Sequence, residues 1–373
     1  MTEDNGTASP GGGRELVAGD EGPLVSIGMP VFDGERFVSQ ALESLLAQDY
    51  PHFELIVSDN ASQDRTEEIC REFQQRDRRI RYIRQEENRG SPWNVAFVAR
   101  ESRGDYFLWA AHDDLWHPTF LRKCVSTLAS HPEAVLCCTE INLVDEHGAP
   151  SVHYPNYKNI ETLGMRPVDR IHALLSLPGW FAIYGLMRRE ILQKIPLSLS
   201  VFAWDVILLL EILLIGPNAK VPETLFTFRV AEPRNAQEYA QIFQSQTASS
   251  AMPYAGAAVH LLETVYRSAL SSSEKTQAFA HFIVDCQRPP WRVTIAEELL
   301  GPNVRVDDRQ FALLTGLVLN RCIPFDEIEH NALCKAILRS ATDPPDLLRI
   351  ARRILSQPDP ALRSLPAGES VTG

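Results

Sequence analysis

At 373 residues, the chain is too long for one average domain and fits two. Hydrophobic residues make up 45%, which supports a sizeable core and a globular fold. A formal net charge of -12 argues against nucleic acid or an anionic membrane held by bulk charge, yet it leaves room for a small anionic ligand beside a local metal or a few arginines.

Residues 1–22 are Gly-rich and acidic, and are expected to be a disordered tail with no apolar signal region. From Leu24 onward strands and helices alternate. "LVSIGMPV" predicts a buried strand, and "ERFVSQALESLLAQD" a helix with Phe37, Val38, Ala41, Leu42, Leu45 and Leu46 on one face. "FELIVSDN" predicts a second strand. "ASQDRTEEICREFQQRD" follows as a helix, with Asp64 and Glu67 spaced for a capping box. "IRYIRQE" predicts a third strand, "SPWNVAFVARES" a helix, and "DYFLWAAHDD" a fourth strand. "HPTFLRKCVSTLASH" predicts a helix with Pro118 in its first turn, and "AVLCCTEINLVD" a fifth strand.

Seven cysteines with no C-x-x-C read as buried or free thiols in a reducing compartment. Cys137 and Cys138 are adjacent in the fifth strand, so they should face opposite sides. The alternation predicts an α/β fold with a doubly wound, mostly parallel sheet. In such sheets ligands bind beyond the carboxyl ends of the strands. Phe32 and Asp33, Asp59 and Asn60, and His112, Asp113 and Asp114 should therefore converge on one edge. No Gly-x-Gly-x-x-Gly follows the first strand, so a dinucleotide fingerprint is absent.

After Val144 the alternation fades. "VDRIHALLSLPGWFAIYGLMRREIL" and "AWDVILLLEILLIG" read as helices flanking an aromatic patch, and "VPETLFTFRV" as a closing strand. From about Ala236 nearly every segment reads helical. The expected organisation is a tail at 1–22, an α/β domain at 23–235 and a helical module at 236–373. The module is open between acceptor binding, self-association and covering of the sheet. The most apolar run, Val206 to Gly216, is too short for a membrane span and contains Glu211. The expectation is a soluble, cytoplasmic protein, with peripheral contact at the inner membrane face left open.

Several segments, in order, resemble family-two nucleotide-sugar glycosyltransferases with the GT-A (Rossmann-like) fold. "VSIGMPVFDGERFVSQALESLLAQDY" resembles the family's opening strand and helix. "FELIVSDNASQDRT" resembles its second strand, and "ENRGSPWNVAFVARESRGDYFLWAAHDD" the helix leading to its D-x-D strand. "DVILLLEILLIGPNAKVPETLFTFR" resembles the segment with the catalytic base and the closing strand. The resemblance covers a little over half the chain and omits the helical C-terminal third.

It implies transfer of a sugar from a nucleoside-diphosphate donor to an acceptor hydroxyl, inverting and dependent on a divalent cation, Mn2+ or Mg2+. The acceptor would be a glycan, lipid-linked or small molecule. Asp113 matches the metal-binding Asp, with Asp114 beside it; a helix cap or solvated charges is the competing reading. Asp59 and Asn60 match the pair that reads the base, and compete with an Asx-turn. Pro30, Phe32 and Asp33 end the first strand, where Phe32 either stacks on a base or belongs to the core. Arg89 could meet a phosphate or be a surface residue, and Gly90 allows close backbone approach. His112 joins the donor site. Asp205 matches the acceptor-activating base, against a helix N-cap. Trp180, Tyr184 and Gly185 form an acceptor platform or simply core.

Two positions depart from the family pattern. Ala111 stands where the first Asp of D-x-D-D is expected, and Ala231, followed by Glu232, where a His is common. They keep a non-catalytic nucleotide-sugar-binding protein as an alternative. A sugar nucleotidyltransferase is the weaker one, because "PVFDGER" lacks a Gly-rich basic loop.

Overall fold

The structure is a computed structural model, and it describes residues 22–151, 157–176, 180–197, 203–230, 253–271, and 274, 275, 277, 278, 281 and 295. Its elements, in chain order, are β1 (Val25–Val31), α1 (Val38–Leu46), β2 (Phe53–Asp59), α2 (Thr66–Arg76), β3 (Ile80–Arg84), α3 (Ser91–Arg100), β4 (Tyr106–Trp109) and β5 (Leu115–Trp116). Then come α4 (Phe120–Ser130), β6 (Leu136–Val144), α5 (Pro167–Leu175), β7 (Leu186–Arg188), α6 (Trp204–Ile215), β8 (Asn218–Arg229) and α7 (Pro253–Arg267). Single 3-10 turns at Phe181–Tyr184 and Arg189–Gln193 flank β7.

The strands form one eight-stranded sheet in the order β3-β2-β1-β4-β7-β6-β8-β5. Strands β1 to β4 pair parallel, as the strand-helix alternation requires. Strand β8 runs parallel to β6, while β7 is antiparallel to both β4 and β6, and β5 is antiparallel to β8. The mixed half adds two short strands, β5 and β7, that the sequence reading did not contain. Strands of two and three residues are too short to show a period, so β5 and β7 left no alternation to read. The segment expected as one long helix from Val168 divides into α5, a 3-10 turn, β7 and a second 3-10 turn.

Helices cover both faces of the sheet. Val25, Ile27, Met29 and Val31 of β1 pack against Val38, Leu42 and Leu45 of α1, and against Cys70 and Leu121. Phe107 and Trp109 of β4 point the other way, into a core with Val95, Val98, Leu208 and Leu209. Cys137 lies in the first core and Cys138 in the second, on opposite faces as the strand period demands. Helix α6 is apolar on nearly every side, which fits a helix enclosed by core. Ala258, Leu261, Leu262 and Val265 of α7 join that same core, so the start of the C-terminal segment is continuous with the α/β domain.

Gly28 is the close approach that lets α3 cross β1. A Cβ there would lie 2.8 Å from Val98 Cγ2 and 2.9 Å from Phe107 Cζ. The expected capping box at α2 does not form. Asp64 Oδ1 accepts the Thr66 N–H at 2.9 Å, but Glu67 turns outward to Arg71 and Arg84. Two guanidiniums on that face compete successfully for a carboxylate that the backbone could otherwise use.

Candidate active site

Strand β4 ends at Trp109, so His112, Asp113 and Asp114 stand on the turn between β4 and β5 and not on the strand itself. The turn is required because β5 reverses direction to pair with β8. Asp114 is 1% exposed, and its Oδ1 accepts the Arg229 backbone N–H at 2.8 Å. Its partner is thus the last residue of β8 and not the following helix, which excludes the cap reading. Asp114 Oδ2 is buried and accepts no hydrogen bond among the described residues. Burial, reinforced by the neighbouring Asp113 charge, pushes the Asp114 carboxyl well above the ordinary carboxylate range. Asp113 is partly exposed and offers its backbone oxygen to Arg229 Nε at 2.9 Å.

The ends of β1 and β2 are fastened to one another. Asn60 N–H donates to Val31 O at 2.9 Å, Asp33 N–H to Ser62 Oγ at 3.0 Å, and Gln63 N–H to Asp33 Oδ1 at 2.7 Å. Asp33 takes a φ of +48°, held by these reciprocal bonds. Pro30 lies past the last β1–β4 pair, Gly28 with Trp109, so its missing N–H costs that ladder nothing. Phe32 is 41% exposed and therefore not core. Gly34 leaves room for the His112 ring, since a Cβ there would sit 2.7 Å from His112 Cδ2. The three strand ends expected to converge thus meet.

Asp59 is fully buried and heavily used. Its Oδ1 accepts the Ser62 N–H at 2.8 Å, while its Oδ2 accepts from the Tyr82 hydroxyl at 2.6 Å and Arg84 Nη1 at 2.7 Å. The Asx-turn and a buried ion pair therefore coexist. Asn60 is likewise committed: Nδ2 donates to Asn88 Oδ1 at 2.8 Å and Oδ1 accepts the Arg89 N–H at 3.0 Å. Asn88 Oδ1 also accepts the Gly90 N–H at 2.9 Å. These bonds fix the loop before α3, where Gly90 has φ +83°. The Arg89 guanidinium lies 4.1 Å over the Trp93 ring and is exposed.

Asp205 lies in the first turn of α6, one residue after a helix-starting Trp204. The N-cap is Ala203, with φ +55°, so Asp205 is not the cap. Its Oδ1 accepts the Val206 N–H at 3.0 Å. Burial raises its carboxyl above the ordinary range. Tyr184 lies on the 3-10 turn before β7. Burial raises its phenol strongly, and the charges of Asp114, Asp205 and Asp113 raise it further, in that order. Its ring packs 5.6 Å from Phe226 and 5.7 Å from Phe228, on the strand that ends at Arg229. Trp180 is partly buried at the start of the same 3-10 turn. Gly185 is buried, and a Cβ there would lie 2.6 Å from Cys137 O, so backbone approach to β6 demands glycine. Glu211, further along α6, accepts from Thr264 Oγ1 at 3.2 Å and is a structural carboxylate. Gly179, Ala231 and Glu232 lie outside the described residues.

A hard divalent cation takes oxygen ligands and shares its shell with phosphates. Two adjacent carboxylates, one with a bare buried oxygen, fit such an ion. Among the described residues no set of three or more His, Cys, Asp or Glu side chains gathers around one point, so a diphosphate would have to complete the shell. Sequence reasoning missed Tyr82, Arg84, Asn88 and Arg229. For Tyr82 and Arg84 a signal existed: they alternate in "IRYIRQE" and so face the same side as each other.

Residues 26–195 match the family described as glycosyl transferase family 2. An uncharacterized glycosyltransferase of Rickettsia typhi is 35% identical over 106 residues, 28% of this chain and 32% of that protein. Another, from Rickettsia felis, is 33% identical over 156 residues, 41% of this chain and 24% of that protein. The chain thus spans about a third or less of those two relatives' length. Among solved structures, S. aureus TarS 1-349 in complex with UDP superposes with a TM-score of 0.58 at 17% identity, covering 88% of this chain and 87% of that one. Residues 26–195 are thus similar to glycosyl transferase family 2, and the sheet has the GT-A fold.

Proposed function

We propose that the chain is an inverting glycosyltransferase that uses a nucleoside-diphosphate sugar. The observation that carries this reading is the adjacent pair Asp113 and Asp114 on the β4–β5 turn, with one buried oxygen unbonded among the described residues, beside the fastened ends of β1 and β2. Asp113 and Asp114 stand side by side at the sheet edge, and Asp205 stands apart in an apolar setting.

In this reading the donor lies over the fastened ends of β1 and β2, with Phe32 against the base and the Arg89 loop near the diphosphate. TarS, the fold relative above, was solved with UDP, which makes UDP the first nucleotide to test. When bound, a divalent cation held by Asp113 and Asp114 supplies positive charge to the leaving diphosphate. His112 beside the pair suits Mn2+ better than Mg2+, because imidazole is a softer ligand than oxygen. Asp205 accepts the proton of the acceptor hydroxyl as that oxygen attacks the anomeric carbon. The bond from that carbon to the diphosphate breaks, and its electron pair leaves with the diphosphate. Attack on the face opposite the leaving group inverts the centre. Trp180 and Tyr184 flank the acceptor. A raised carboxyl pKa suits a base, since transfer is most effective when the catalytic pKa nears the working pH.

A non-catalytic nucleotide-sugar-binding protein remains the second reading, favoured by Ala111 where a third carboxylate would stand. Calorimetric titration of UDP with and without Mn2+, followed by assay of UDP release from a panel of UDP-sugars, separates the two. Metal-linked binding with turnover on any acceptor supports transfer. Binding with no turnover supports the second reading, and no binding of any nucleotide with either metal refutes both.

A further inference from the structure

The geometry points to Arg229 as a positioning residue that sets the Asp113 carboxylate for its cation while touching neither cation nor donor; this rests on the glycosyltransferase reading above. Arg229 is the last residue of β8 and is only 9% exposed. Four contacts immobilise it. Its backbone N–H donates to Asp114 Oδ1 at 2.8 Å, and its Nε donates to the backbone oxygen of Asp113 at 2.9 Å. Its Nη2 donates to Gln40 Oε1 of α1 at 3.2 Å, and its guanidinium lies 4.2 Å over the Phe37 ring.

The pattern of partners is informative. A buried guanidinium beside two carboxylates would ordinarily form a bidentate ion pair. Among the described residues its side chain bonds only neutral oxygens, those of Asp113's peptide and Gln40's amide. Among the described residues no hydrogen bond to the Asp113 carboxylate is seen, and Asp114 Oδ2 is left bare. The residue therefore acts through the main chain. It clamps the main chain of Asp113, which fixes where that side chain starts. Phe37 and Gln40 extend the clamp to α1, so the β4–β5 turn is fastened to the helix that follows β1.

Substitution separates these contacts. The bond to Asp114 comes from the main chain and survives in every variant. Arg229→Gln removes the charge and the clamp on Asp113, while Arg229→Lys keeps the charge but loses the planar fork. Groups that orient metal ligands from behind typically carry about 10- to 100-fold in metal affinity or activity. We expect Arg229→Gln to weaken Mn2+ binding in the presence of UDP by about tenfold or more, with Arg229→Lys intermediate. Added Mn2+ should recover most of the turnover of Arg229→Gln. A purely structural role would lower the melting temperature without that recovery. Gln40→Leu, one contact further out, should give a smaller weakening in the same direction, and it serves if Arg229→Gln does not fold. The measurement is calorimetric titration of Mn2+ into protein with UDP, with turnover against Mn2+ concentration alongside. If wild-type protein shows no Mn2+-linked UDP binding, the reading of the site fails. If wild type does, and Arg229→Gln or the Arg229→Lys and Gln40→Leu pair matches it, the positioning role of Arg229 is overturned.

Discussion

Arg84 Nη1 lies 2.7 Å from Asp59 Oδ2, and the two residues close a paired register at the ends of β3 and β2. The carboxylate is fully buried while the guanidinium keeps 30% exposure. Tyr82 donates to the same oxygen, and burial together with the Asp59 carboxylate holds its phenol protonated. The strand edge that would receive a base is therefore built on a buried charge with several donors. Arg84→Met should destabilise the protein by about 1.5–3 kcal/mol, the usual worth of a hydrogen bond to a charged group. Denaturant unfolding measures it. UDP affinity should fall too, because Arg84 Nη2 also holds the Ser62 carbonyl at 2.9 Å in the loop on which the proposed nucleotide site rests.

Asp205 should carry opposite signs in stability and in activity. Burial raises its folded pKa above the ordinary value of 3.8. The folded state thus binds the proton more tightly than the unfolded chain does. The cost of ionising it in the fold is absent below that ordinary value and fully present above the raised one. Asp205→Asn, whose amide oxygen can still accept the Val206 N–H, should raise the melting temperature at about pH 7. The gain should shrink as the pH falls toward about 4. Thermal melts of both proteins across that range test the sign.

Gly185 separates packing from recognition. Its Cβ position is 2.6 Å from a backbone oxygen that cannot swing aside, so Gly185→Ala should cost about 1–3 kcal/mol. UDP affinity should stay at the wild-type value. A chemical denaturation curve and a UDP titration on the same preparation check both halves.

Phe32 should behave in the reverse manner. At 41% exposure it adds little to the fold, so Phe32→Ala should change stability by no more than about 0.5 kcal/mol. Loss of stacking on a base should weaken UDP binding by about 1–3 kcal/mol. Calorimetry with UDP, compared with ribose-5-phosphate as a ligand without a base, isolates the stacking contribution.

The parallel half of the sheet was legible because β1 and β2 are long enough for apolar runs to show and are separated by a helix with a clear face. Convergence of Asp33, Asn60 and His112 followed from that topology alone. What escaped was decided by contacts distant in sequence. Asp114 meets Arg229 across 115 positions, so a reading that offered a helix cap, solvated charges or a metal site did not contain this bond. Asn60 looks like a reader of bases in its own strand, yet its amide is bound to Asn88 and Arg89 in the next connection. β7 has three residues whose strand character comes from β4 and β6 on either side, not from its own pattern.

The most direct test of the account is single-turnover transfer from a UDP-sugar that wild-type protein consumes, with Mn2+ present, in Asp205→Asn. The variant should bind UDP with wild-type affinity and transfer sugar about 100- to 10,000-fold more slowly, the range carried by a general base. Transfer at the wild-type rate with unchanged binding would contradict the assignment of Asp205, and with it the division of labour among the three carboxylates.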